Sequence, residues 1–170
     1  MNLIDLLWTF LISASPVVEL RGAIPIAINN YDIAWYIAFP VCFVGNLIPV
    51  PFLLLFLDPV ARLASRIGPI KTFLDWVFRR THRQGRLVEK YKRIGLLLFV
   101  AIPLPGTGAW TGSILAFLLG IKLKSSFISI IAGVFIAGLI VTALTLLGWV
   151  GIVIAGVGLL TLAALGIWRI

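Results

Sequence analysis

The chain has 170 residues, 61% of them hydrophobic and 12% charged, and its apolar runs reach roughly twenty residues, the length of a membrane-crossing helix. That excludes a soluble domain and leaves no room for a second one. The formal net charge of +8 does not point to nucleic acid, because the basic residues cluster in one loop beside apolar runs with no recognition motif, so anionic lipid head groups are the expected partner.

Residues 1–14 are apolar, with Asp5 and no Lys or Arg, so a secretory leader is not expected and the segment is read as retained structure. Ser15 and Pro16 then form a restart, since Ser caps helix N-termini and Pro is tolerated in the first turn. The reading is a short helix, a break and a second short helix ending near Asn29 and Asn30. Each arm spans roughly 20 Å against a bilayer core of about 30 Å, so residues 1–30 are predicted to form a re-entrant hairpin. Residues 34–57 carry no charge and are long enough to cross. Pro40, Gly45, Pro49 and Pro51 lie in that span and predict a kink packed on protein, and Asn46 is read first as a packing hydrogen bond. Cys42 is the single cysteine, which rules out a disulfide framework or a multi-cysteine metal site within one chain.

Residues 58–93 are strongly basic. Val60, Leu63, Ile67, Ile70, Leu74 and Val77 recur at helical spacing, a pattern suited to an amphipathic connector on the membrane surface. The positive-inside rule places it in the cytoplasm. His82, the only histidine, is read as solvated.

The second half repeats the order of the first: a broken apolar segment at 94–120, a polar turn, a span at 126–149. Ala14 aligns with Ala101 and Pro16 with Pro103. A terminal span is expected over 150–168, whose Gly151, Gly156, Gly158 and Gly166 allow packing on the chain's own bundle or on a second copy. If 94–120 is a hairpin, every Lys and Arg except Arg21 lies on the cytoplasmic side, with the C-terminus inside and the N-terminus outside. The predicted fold is therefore an all-α polytopic membrane protein of one domain (repeat 1 over 1–57, repeat 2 over 94–149). It is an inverted repeat of a re-entrant helical hairpin plus transmembrane helix, with a cytoplasmic connector and a C-terminal transmembrane helix. Such repeats form sites where helices break near the midplane.

Glu19 and Arg21 are the leading functional residues, since a charge at mid-membrane costs on the order of 2.5–3.5 kcal/mol. Two half-helix N-termini, at Ser15 with Pro16 and at Gly106, Thr107 and Gly108, are expected to aim free N–H groups at an anion. Arg21 is expected to grip phosphate in two-pronged fashion. Thr107, Thr111 and Ser113 supply hydroxyls, and Gly106, Gly108 and Gly112 allow close approach of backbone. Pro16, Pro25, Pro103 and Pro105 mark the hairpin breaks. Glu19 is assigned the proton: a carboxyl there would take one up as an anionic head group binds and release it on the other side. The alternative is a buried Glu19–Arg21 ion pair that pins the hairpins, which needs a non-helical segment because residues two apart diverge on a helix. Trp110 is read as a packing or interfacial anchor.

E-L-R-G-A-I-P-I-A from Glu19 and P-L-P-G-T-G-A-W-T-G from Pro103, separated by a basic loop, resemble the small multidrug export protein family, a relative of the DedA superfamily. The resemblance implies a bacterial or archaeal inner-membrane protein with two opposed re-entrant hairpins. Through the DedA relatives it implies proton-linked or scramblase-like movement of lipids such as polyprenyl phosphates. The second motif here lacks the arginine usual in DedA proteins, which argues against a two-arginine phosphate clamp. Three functions follow: a transporter or flippase of an anionic amphiphile, a proton/cation drug antiporter, and a non-transporting scaffold. An enzyme is not expected, and neither is a metal or cofactor, because no histidine, cysteine or carboxylate pair is placed for that chemistry.

Overall fold

The computed structural model describes residues 2–64, 86–104 and 106–167. Among them there is helix and no strand. The helices are α1 (Leu3–Ala14), α2 (Glu19–Asn29), α3 (Trp35–Leu47), α4 (Pro49–Ala64), α5 (Arg86–Ala101), α6 (Ala109–Leu118), α7 (Leu123–Leu146) and α8 (Trp149–Ile167). Two stretches, Trp35–Leu57 and Leu123–Leu146, are long and apolar enough to cross a membrane. The expected amphipathic connector falls mostly on residues 65–85, His82 included, and Pro105 is a single position; these lie outside the described residues.

Sequence explains where the helices stop. Ser15 precedes a proline and is extended (φ −70°, ψ 147°), as the steric demand of the proline ring requires, so α1 ends at Ala14. The restart comes later than expected, at Glu19 rather than at Ser15. Ser15 Oγ turns back to donate to the Ile12 carbonyl at 2.7 Å and accepts only a long bond from Val18 N–H at 3.4 Å. Pro25 is not a break. It lies inside α2, where its missing N–H leaves the Arg21 carbonyl without a helical donor. Pro49 opens α4, a position proline accepts, so α3 and α4 follow one another with a single turn residue at Ile48.

The halves repeat in detail. Glu19 (φ 53°) and Gly106 (φ 80°) both take the left-handed conformation at the restart, and Asp32 (φ 50°) and Gly120 (φ 61°) do so at the following turn. Ala34 before α3 and Lys122 before α7 share the same cap geometry (φ −57°, ψ 137° and 138°). Gly45 and Gly133 occupy equivalent contacts: a β-carbon on Gly45 would lie 2.7 Å from the Phe10 carbonyl oxygen, and one on Gly133 2.9 Å from that of Leu97. Each glycine thus lets a long helix lie against the first arm of its own broken pair, α3 on α1 and α7 on α5. Phe135 packs edge-on against Phe39 and Phe43, and Gly138 lies under Phe39, so α3 and α7 cross running in opposite directions. Leu20, Ile24, Leu96, Val100, Ile130 and Val134 form the shared core.

Two polar groups in this core behave differently. Ser13 donates to the Cys42 carbonyl at 2.5 Å and ties α1 to α3. Asn46 is fully buried, but its side-chain nitrogen and oxygen have no hydrogen-bond partner among the described residues, so the packing bond expected of it is not formed there. At the other end Gly148 (φ 56°) turns the chain, and Gly151 packs on the Leu144 carbonyl, folding α8 back along α7. That glycine serves the chain's own bundle.

Candidate functional site

The site lies where the two broken segments meet. Glu19 is a non-glycine residue in left-handed conformation, which costs on the order of 1–3 kcal/mol and marks a site that the surroundings hold in place. The turn supplies the non-helical geometry that lets Glu19 and Arg21 face the same way: Oε2 of Glu19 is 4.0 Å from Nη1 of Arg21. Both reach across to the second half.

The Glu19 carboxylate sits at the N-terminus of α6. Its Oε1 accepts from the Trp110 N–H at 3.3 Å, and a β-carbon on Gly108 would fall on the carboxylate itself. A negative group is favoured there by the helix dipole and the unpaired N–H groups. The Arg21 guanidinium takes the opposite end of the same break. Nη1 donates to the Leu104 carbonyl, and Nη2 to those of Val100 at 3.1 Å and Ile102 at 3.3 Å. These oxygens end α5 and begin the loop after it, where a cation is favoured. The buried Nε has no partner among the described residues. Trp110 returns the favour to the first half, its indole Nε1 donating to the Ala14 carbonyl at the end of α1 at 3.1 Å. Each half thus caps the other's broken helices.

This corrects the expectation of two free N-termini aimed at a substrate. The N-terminus of α6 already holds an anion, the chain's own carboxylate, because the left-handed turn at Glu19 swings it there. Thr107 Oγ1 donates to the carbonyls of Ile102 at 2.8 Å and Leu104 at 3.0 Å and shapes the loop. Thr111 Oγ1 is 3.3 Å from the Gly108 carbonyl. Ser113 is fully buried and bonds back to Ala109 at 2.7 Å, so it serves α6 rather than a ligand. Gly112 accommodates Val100, whose Cγ2 would lie 2.6 Å from a β-carbon. The Trp110 indole contact was missed because its acceptor is a main-chain oxygen at the end of α1, and side-chain spacing carries no signal for that.

Two cavities meet at Arg21. One, about 260 Å³, lies between the breaks and is lined by Pro16, Glu19, Arg21, Pro103, Gly106 and Thr111 among others. The second, about 520 Å³, is bounded by α2, α7 and α8, and among the described residues Arg21 is the one charged residue on its walls. Arg21, Pro25 and Asn29 form a stripe along α2 from its N-terminal to its C-terminal end, and Thr145 and Gly148 line the same cavity. Arg21 and Pro103 line both cavities. Among the described residues no cluster of three metal-ligating side chains occurs.

Apolar helices of crossing length, charges held at paired helix breaks and cavities beside them define a membrane protein of helical class. A family model described as "Putative small multi-drug export protein" matches residues 19–140, from the first charge of the site to the span of the second half, and the chain belongs to that family. No curated protein and no solved structure matches significantly.

Proposed function

We propose that this protein is a multi-pass transporter of the cytoplasmic membrane that moves an amphiphile with an anionic head group, such as a polyprenyl phosphate or a phospholipid, and that Glu19 carries the coupling proton. One observation supports the reading above the others: the N-terminus of α6 and Arg21 together hold a carboxylate, so the site binds an anion with the chain's own side chain standing in for it. An incoming head group enters the polar cavity and displaces Glu19. It then takes the Trp110 N–H and faces the guanidinium. The displaced carboxyl takes up a proton in its less polar surroundings and gives it up when the head group leaves. The hydrocarbon tail occupies the larger cavity. No bond is made or broken in the substrate, so the activity is transport and not catalysis.

In this reading α1 with α2 and α5 with α6 are re-entrant hairpins entering from opposite faces, since none of α1, α2 and α6 exceeds 12 residues, or about 18 Å of helix. The connector over 58–93 and the C-terminus face the cytoplasm, where the basic residues meet anionic lipid. The family description also fits export of lipophilic drugs. A cationic drug would meet Arg21 in either cavity, and for that reason the anionic substrate is preferred.

The test fills the larger cavity. Gly158 lines it and has open space at its β-position, whereas Gly156 is equally open but does not line it. In sealed vesicles Gly158→Phe is expected to slow dodecyl phosphate uptake about tenfold or more, a rise of about 1.4 kcal/mol or more in the barrier to uptake. Gly156→Phe is expected to leave it near wild type. Equal rates in the two variants would remove the cavity from the path.

A further inference from the structure

A third cavity, about 250 Å³, lies between α4 and Trp110. Its α4 wall repeats one wall of the Arg21 cavity: Phe52, Leu53, Phe56, Leu57 and Val60 stand where α7 and the turn after it present Ile140, Val141, Leu144, Thr145 and Gly148. Each pair is separated by the same number of residues as Gly45 and Gly133, the glycines that pack equivalently in the two halves. The match is structural and not merely compositional.

The two cavities differ in filling and reach. Along the α4 wall Phe replaces Ile and Leu, Leu replaces Val and Thr, and Val replaces Gly, and the groove is smaller, about 250 Å³ against about 520 Å³. The Arg21 cavity reaches along α2 to Asn29 and past the end of α7 to Gly148, and the Trp110 groove reaches along α4 to Val60. Between them stands Glu19, 4.0 Å from Arg21 Nη1 and 3.3 Å from the Trp110 N–H. One carboxylate therefore stands between two register-matched cavities.

We propose that the groove over Trp110 is a second binding site for the same anionic amphiphile, the far-face counterpart of the Arg21 cavity. This rests on reading the Arg21 cavity as a substrate site. The amphiphile passes from one to the other as its head group replaces Glu19 at the crossing, with Trp110 lining the groove on the receiving side. The apolar wall of the groove takes the hydrocarbon chain, and the α6 N-terminus keeps the head group.

The test uses single cysteines, Ile152→Cys in the first cavity and Leu57→Cys in the groove, in full-length Cys42→Ser protein in sealed vesicles. An impermeant thiol reagent is applied to one face at a time, with dodecyl phosphate as the probe. The expected result is labelling of the two positions from opposite faces, each slowed about fivefold or more by the probe. Protection of Ile152→Cys without protection of Leu57→Cys overturns this inference alone. Protection of neither overturns the function on which it rests. Leu53→Trp gives a second check by filling the groove: transport is expected to fall while the probe still protects Ile152→Cys. Wild-type transport in Leu53→Trp would contradict the second site.

Discussion

Gly108→Ala is expected to abolish transport and to cost about 1 kcal/mol of stability, the lower end for inserting one carbon into a packed interior, because what must shift is the end of a flexible side chain. Backbone conformation is not the reason, because Gly108 is extended (φ −86°, ψ −158°), a region open to alanine. The cause is the Glu19 carboxylate, which occupies the space the new methyl group would need. The carboxylate must then leave the α6 N-terminus, and Arg21 loses its nearest anion. Adding Glu19→Ala removes the obstruction, so the double variant is expected to be more stable than Gly108→Ala alone while remaining unable to couple transport to protons. Thermal unfolding of the four proteins of this cycle measures the interaction directly. Additive losses would mean that the two residues do not meet.

Arg21→Gln is expected to cost about 3–5 kcal/mol, the range for removing one partner of a buried charged pair. It releases the carbonyls of Val100, Ile102 and Leu104 and leaves Glu19 without its cation. Arg21→Lys keeps the charge but has one ammonium in place of a planar fork, and cannot span the three acceptors in the same geometry. It is expected to lie between wild type and Arg21→Gln in both melting temperature and transport rate. A lysine variant with wild-type values in both would show that charge alone is used and that the carbonyl cap contributes nothing.

Much of the site was legible in sequence because charges inside apolar segments are costly and so conspicuous. Glu19 and Arg21 drew attention on that ground, and the Pro16 and Pro103 breaks that bring them to the second half were found by alignment. The need for a non-helical turn if the two charges were to face each other also followed from helix geometry, and the left-handed Glu19 supplies it. What sequence did not carry were the acceptors. Arg21 and Trp110 bond to main-chain oxygens, which every residue possesses, so the choice of Leu104 or Ala14 is set by tertiary placement alone. Ser113 and Thr107 misled for a related reason, since a hydroxyl near a break is as readily satisfied by its own backbone as by a ligand. In sequence the repeat showed as an order of elements and two aligned residues at each break. Its strength lies in backbone torsions and glycine contacts, where Glu19 matches Gly106 and Gly45 matches Gly133. One half supplies the charges and the other the room for them, an asymmetry that erases sequence identity at the very positions where the halves correspond.

The most direct measurement of the central claim compares two probes of the same chain length, dodecyl phosphate and dodecyltrimethylammonium, for uptake into sealed vesicles holding the purified protein under an imposed proton gradient. Gradient-dependent uptake of the phosphate, lost in Glu19→Gln, with no uptake of the ammonium, is the predicted result. Uptake of the ammonium in preference to the phosphate would contradict an anion site at Arg21 and would make the protein a cation exporter.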